Sequence, residues 1–321
     1  MTFATQLRRF GVRIAALGLV TVLAGCATTA RKAERLAQAG DTASARQLLQ
    51  EALVKDSTNV SLWRALATLE DTTGHSRQAT RAYRHVLQLQ PEDREARQGL
   101  VRSYLAVADS QLVRGNRPAA RDTIELALKV DSTCGTCWEK LGDTYLAIDF
   151  ARTARGYYER AEATGDSSAR AKLDSTTARI RTARRLASRG EKLYAKGRWS
   201  QAVRILEKAQ KLDAENDSVS YTLHMSRGRL LYKRGGVKNL WAAISEFGHA
   251  AALRPNAAEP HYWLAKTYHK KDKNEFVNEI EEYQKAAKLE PNTKLGKLCA
   301  RKARELKAWK KKLDDFWGRK P

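Results

Sequence analysis

A period of 34 residues constrains this chain more than any other feature. In its best copy Trp138, Leu141 and Tyr145 stand at i, i+3 and i+7, and Ala154, Tyr158 and Ala161 follow at spacings of four and three. Each set falls on one face of a helix, because residues three and four apart are neighbours on a helical surface. Gly142 and Ala154 are small where two helices must approach closely. A unit of this length is one helix, a turn and a second helix, which cannot bury its apolar face alone and has to stack on its neighbours. The period therefore argues against one compact core for a chain of 321 residues.

The same frame recurs along the chain. Residues 60–93 carry Trp63, Leu66, Ala67, Gly74, Ala79 and Tyr83 and end near Pro91, while 26–59 carry Gly40, Ala45, Leu49 and Ala52. Weaker copies lie at 101–134 (Tyr104, Ala108, Gly115, Ala120) and 183–216 (Leu186, Gly190, Gly197, Ala202, Leu206). Two more, 221–256 (Gly228, Ala243, Phe247) and 258–292 (Leu264, Ala265, Tyr283), are expected to hold insertions of about three and two residues between their helices. This pattern resembles the tetratricopeptide repeat, and the resemblance implies an all-α solenoid of about seven helix pairs with a concave face lined by first helices. Composition agrees. Only six Pro and nineteen Gly occur among abundant Ala, Leu, Arg, Lys, Glu and Gln.

Two stretches break the period. Residues 94–100 are expected to extend the first helix of the third copy, and 169–182 to form an extra helix or a bend that divides the array. That gives an N-terminal array at 26–168, the divider, a C-terminal array at 183–292 and a basic capping helix and tail at 293–321. In the last segment Leu295, Leu298, Leu306, Trp309, Leu313 and Phe316 recur at helical spacing opposite Lys and Arg. A terminal helix with a polar outer face keeps an open solenoid soluble.

The first segment reads as an address. Arg8, Arg9 and Arg13 precede an apolar run from Ile14 to Leu23, which is of secretory length and short of the ~20 residues that span a bilayer. Leu23-Ala24-Gly25-Cys26 then resembles the lipobox of bacterial lipoproteins. By that resemblance residues 1–25 are a signal peptide that is removed, Cys26 carries the lipid, palmitate included, and the protein sits on a membrane. Ala27, in place of Asp, implies the outer membrane, facing the periplasm, if the cell is Gram-negative. Without residues 1–25 the chain keeps 56 basic against 36 acidic residues, a net +20.

In tetratricopeptide proteins repeat positions 2, 5, 9, 12 and 13 line the groove. The fourth copy places Thr136, Glu139, Asp143, Leu146 and Ala147 there, a mildly acidic set. The sixth places Thr222, Met225, Arg229, Tyr232 and Lys233, and the seventh Glu259, Tyr262, Lys266, His269 and Lys270. The candidate partner-binding groove is therefore Arg229, Tyr232, Lys233, Tyr262, Lys266, His269 and Lys270, cations among rings that suit an acidic, extended protein segment. Equally, they are ordinary exposed positions of a basic chain. The carboxylate clamp of this fold uses Lys and Asn on first helices, and Arg64 with Thr68 or Met225 with Arg229 do not match it.

Cys134-Gly135-Thr136-Cys137 admits a redox pair, half a zinc site or a structural disulfide. Trp138 replaces the His that haem attachment needs, no second C-x-x-C supplies zinc ligands, and no βαβ context accompanies it. A structural disulfide fits an exported protein best. Cys299 lies between Leu295 and Leu306 and reads as a buried small hydrophobe. No H-E-x-x-H, G-x-S-x-G or phosphate-binding loop is present, so neither a catalytic site, a metal site nor a cofactor is expected. The leading function is a non-enzymatic, membrane-anchored scaffold or assembly factor that binds proteins in the cell envelope. The alternatives are a binder of anionic polymer or lipid through the +20 charge and, more weakly, a thiol redox protein. Nucleic acid, the usual partner of such charge, is not expected outside the cytoplasm.

Overall fold

The computed structural model describes residues 28–273 and 276–318. Fifteen helices and no strand occur among the described residues. They pair as α1 (28–38) with α2 (Thr42–Lys55), α3 (Val60–Thr72) with α4 (Ser76–Leu89), α5 (Arg94–Val113) with α6 (Arg117–Val130) and α7 (Gly135–Leu146) with α8 (Ala151–Ala163). Then come α9 (Ser167–Ala195) with α10 (Trp199–Leu212), α11 (Asp217–Arg234) with α12 (Val237–Leu253), α13 (Ala258–Lys271) with α14 (Phe276–Leu289), and α15 (Lys294–Phe316). None is long and apolar enough to cross a membrane. Residues 1–27, and with them the expected signal peptide and Cys26, lie outside the described residues.

Local chemistry sets the boundaries. The side chains of Asp41, Asn59, Asp93, Asn116 and Asn216 each accept a hydrogen bond from the backbone N–H three residues on, at 2.9–3.4 Å, and start α2, α3, α5, α6 and α11. Between the paired helices, position 15 of the repeat takes a left-handed backbone: φ is +89° at Gly40, +77° at Gly74, +76° at Gly115, +70° at Gly197 and +70° at Gly235. Glycine meets that demand without a Cβ penalty. In the fourth copy Asp149 holds the same place at φ +63°.

The chain divides into two compact units, Met1–Thr144 with Tyr157–Arg170, and Tyr145–Gly156 with Ala171–Pro321. In the first, α2 to α6 pack each on the next in sequence, and Tyr158 is fully buried against Gly142. In the second, α10 to α15 do the same, over cores centred on Leu206 and Leu223, on Phe247 and Leu264, and on Tyr283 and Cys299. The turn 145–156 is held within this unit by Glu215, which accepts from the backbone N–H groups of Arg152 and Thr153 at 2.9 and 3.0 Å.

Residues 169–182 run on with 183–195 in one helix, α9, just as 94–100 lead α5. Two expectations need correction. In the sixth copy the extra residues lengthen the helices themselves, and the turn shrinks to Gly235 and Gly236. Extending a helix by whole turns adds one hydrogen bond per residue and preserves the stacking face. In α15, Gly296, Cys299 and Ala303 are buried as a cap requires, whereas Trp309 and Phe316, expected on its apolar face, are exposed.

The small residue at position 8 gives a direct test of the packing. A Cβ on Gly228 would stand 2.5 Å from the fully buried Phe247 ring, while one on Gly248, in the same pair, meets nothing within 4 Å. Gly228→Ala is expected to cost about 1–3 kcal/mol through overpacking. Gly248→Ala, inside a helix, is expected to gain up to about 1 kcal/mol. Opposite shifts of the thermal midpoint check this; equal shifts would mean that the two helices do not meet as described.

Candidate functional site: a cationic and aromatic strip on the second unit

The first helices of the fifth, sixth and seventh copies bring one set of side chains together. Arg229 on α11 lies with its guanidinium carbon 3.8 Å from the ring centre of Trp263 on α13 and 4.5 Å from that of Trp199 at the start of α10. Guanidinium groups bind aromatic faces at these separations. Its Nη1 is 3.6 Å from Glu259, whose carboxylate also accepts from the Tyr194 hydroxyl on α9 at 2.5 Å. Arg229 Nε and Trp199 Nε1 are buried without a hydrogen-bond partner among the described residues.

Lys266 continues the strip. Its ammonium stands 4.8 Å from the ring centre of Trp263, 5.5 Å from Tyr262 and 5.7 Å from Tyr232. Burial, and then repulsion from Arg229, pushes its pKa below the ordinary lysine value. No carboxylate pairs with it among the described residues. Lys270 donates to the Tyr232 carbonyl at 2.7 Å and lies 4.5 Å from the centre of the Tyr232 ring. Burial holds the Tyr232 and Tyr262 hydroxyls above their usual range.

Of the seven groove residues expected, five meet here: Arg229, Tyr232, Tyr262, Lys266 and Lys270. His269 does not join them; its Nδ1 pairs with Glu279 of α14 at 3.0 Å, on the seam between the two helices of its own repeat. Lys233 is exposed and makes no contact with these rings. Thr222 and Met225 are buried rather than groove-lining, and Tyr194 of α9 packs against the core cluster that holds Met225. Trp263, Trp199 and Tyr194 were not among the expected residues. Tyr194 carried a usable signal, since it occupies position 12 of the fifth copy; Trp263 at position 6 and Trp199 on a second helix carried none.

In the first unit the same frame lines a separate cavity of about 480 Å³ between α1 and α3 with Glu34, Gln38, Arg64, Thr68 and Thr72. Position 15 left-handed, position 8 small against a large buried residue of the second helix, and first helices lining one side now stand together in successive copies. The fold is that of a tetratricopeptide repeat protein. Neither a protein-family model nor a curated protein matches the sequence. Solved structures similar to this chain include the tetratricopeptide domain of P58(IPK), 15% identical over 88% of this chain and 98% of that one, with a TM-score of 0.39. A tetratricopeptide repeat protein from Parabacteroides merdae is 14% identical over 86% and 98%, with a TM-score of 0.34. YrrB, described as having an unusual peptide-binding site, is 20% identical over 70% and 100%, at 0.30. Likeness at this level is one of fold alone, and the internal repeat geometry carries the identification.

The cysteine pair sits at a tetratricopeptide boundary. Cys134 occupies the cap of α7, where its sulfur accepts from the Cys137 backbone N–H at 3.2 Å, the role that Asn59, Asp93 and Asn216 play at α3, α5 and α11. The two sulfurs are paired in the structure with Cα atoms 5.3 Å apart, and both residues are buried. Cys299 is fully buried, and burial followed by the nearby Glu290 pushes its thiol up to about 11.

Proposed function

We propose that this protein is a membrane-anchored scaffold of the bacterial cell envelope, which holds an acidic, extended segment of a protein partner against the strip of Arg229, Tyr232, Tyr262, Lys266 and Lys270. The observation that carries the reading is Lys266, a half-buried ammonium among three rings with no carboxylate paired to it among the described residues. Such a charge is costly in the free protein, and an incoming carboxylate relieves the cost while its apolar neighbours cover the rings. A chain like this works by presenting residues at fixed spacing, so the reading assigns it no catalysis.

The anchor is Cys26, by the resemblance of Leu23-Ala24-Gly25-Cys26 to a lipobox, and it places the strip outside the cytoplasm. There Cys134 and Cys137 form a structural disulfide that staples the entry of α7. The fully buried Cys137 gives a redox partner no access, which disfavours the thiol oxidoreductase alternative. The anionic polymer or lipid alternative draws on α15, where exposed Trp309 and Phe316 stand beside Lys311 and Lys312.

One experiment on cells tests the anchor and the thiols together. Labelled fatty acid is expected in the wild-type chain and not in Cys26→Ser, which should accumulate as a longer, uncleaved precursor. Equal labelling of both would overturn the lipoprotein reading. Alkylation of denatured, unreduced wild-type protein from the same membranes should modify Cys299 and leave Cys134 and Cys137 unmodified; labelling of those two would overturn the disulfide. Capture from solubilised envelopes should retain a protein partner at salt concentrations that strip polyanions, since salt screens exposed charge much more than desolvated charge.

A further inference from the structure

We propose that His224, Glu246 and His249 form a binding site for a divalent transition-metal ion of the zinc class, on the seam between the two helices of the sixth repeat. His224 stands on α11, and Glu246 and His249 stand one turn apart on α12. One ligand atom from each lies within 4.8 Å of the other two. His224 Nδ1 and Glu246 Oε2 are 2.6 Å apart, and the two imidazoles meet edge to face with centroids 5.1 Å apart. Two imidazoles and a carboxylate are a donor set that zinc accepts when it keeps a coordination position open for water or another donor. Around a tetrahedral ion with bonds of ~2.0–2.2 Å the donors stand roughly 3.3 Å apart. The His224–Glu246 hydrogen bond therefore opens by under about 1 Å while exposed His249 turns inward, a change within reach of side-chain rotation.

The seventh repeat is an internal comparison. His261 holds the fourth position there, as His224 does in the sixth, and Glu282 precedes Tyr283 as Glu246 precedes Phe247. The His–Glu pair recurs at the same 2.6 Å. By itself, then, the pair is a contact between the helices of a repeat. The difference lies one turn further on, where Lys285 donates to Glu282 at 2.6 Å and neutralises it. The sixth repeat carries His249 at that corner, a ligand in place of a cation that repels metal. In the first unit the same seam is a ring stack, Trp63 on His85 at 4.2 Å and Trp138 on Tyr157 at 6.0 Å. Packing here tolerates several chemistries, so nothing in the fold demands two imidazoles and a carboxylate. The inference is independent of the strip and of the lipid anchor, since neither supplies a ligand.

The test uses the full chain in detergent, without a histidine tag, stripped with chelator and kept non-reducing so that Cys134 and Cys137 offer no thiolate. Titration with Co²⁺ should give visible ligand-field absorption saturating at one ion per chain, reversed by Zn²⁺. His249→Lys, which installs the residue the seventh repeat tolerates, should weaken binding by at least about tenfold with unchanged helical circular dichroism, and His224→Asn should do the same. His261→Asn should leave binding as in the wild type. Absence of stoichiometric binding, wild-type affinity in His249→Lys, or an equal loss in His261→Asn would each overturn the site.

Discussion

Arg46→Met is expected to destabilise the first unit by about 3–5 kcal/mol, the cost of leaving a buried charge without its partner. The carboxylate concerned is Glu70 on α3, which is 3% exposed. Arg46 on α2 meets it with both prongs, Nε to Oε1 at 2.6 Å and Nη2 to Oε2 at 3.0 Å. Hydrogen bonding to Glu70 is also the chief cause that raises the Arg46 pKa. Once the guanidinium is gone, His75 is the one cation-forming side chain left close among the described residues, with Nδ1 3.3 Å from Oε2, and a partly exposed imidazole cannot replace a bidentate cation. Because Arg46 keeps about a quarter of its side chain in water, the loss should fall toward the lower end of the range. The double variant Arg46→Met with Glu70→Leu removes both charges, and its stability should return to within about 1 kcal/mol of the wild type. Urea unfolding followed by circular dichroism measures all three. An unchanged Arg46→Met would mean that water reaches Glu70, and a double variant as unstable as the single would make the site a packing contact.

The second large effect concerns binding. Reversal of Lys266 and Lys270 to Glu is expected to weaken capture of the proposed protein partner by far more than tenfold, whereas reversal of Lys311 and Lys312 on α15 should change it little. Net charge changes equally in both double variants, so the comparison isolates the site. Exposed ion pairs contribute about 0–1 kcal/mol, while removing one member of a desolvated pair costs about 2–5 kcal/mol. Lys266 is the desolvated one: burial and Arg229 already lower its pKa, and the rings of Trp263, Tyr262 and Tyr232 surround it. Lys311 and Lys312 are exposed. Equal losses would indicate diffuse attraction to an anionic surface, and a larger loss from the α15 pair would favour the polymer or lipid reading. If neither variant loses affinity, the binding face is elsewhere, and the cavity between α1 and α3 is the next candidate.

Much of this architecture was legible from residue types alone. The helix pairs at 60–93 and 101–134, the extension at 94–100 and the terminal helix from Lys294 follow from patterns confined to a few turns of chain. The site was legible only in part. Arg229, Tyr232, Tyr262, Lys266 and Lys270 were placed together by repeat position, but His269 was placed among them too. Its neighbour Lys270 faces Tyr232 while His269 itself faces Glu279, because successive residues on a helix are rotated by about 100° and these two leave α13 toward different neighbours. Thr222 and Met225 failed for another reason: both are buried, Met225 in a core cluster against which Tyr194 packs.

The sequence by itself determined the repeat, its turn and its stacking face, because periodicity, a left-handed glycine and a small residue opposite a large one are properties of neighbours along the chain. Only the tertiary structure decided which charges meet. The guanidinium of Arg229 lies between Trp199 and Trp263 because three helices from three repeats converge there. His249 reaches His224 and Glu246 because α12 packs on α11 with one particular rotation. The energy of a cation on a ring, or of three ligands around an ion, changes over an ångström, while sequence spacing locates a side chain only to a face of its helix.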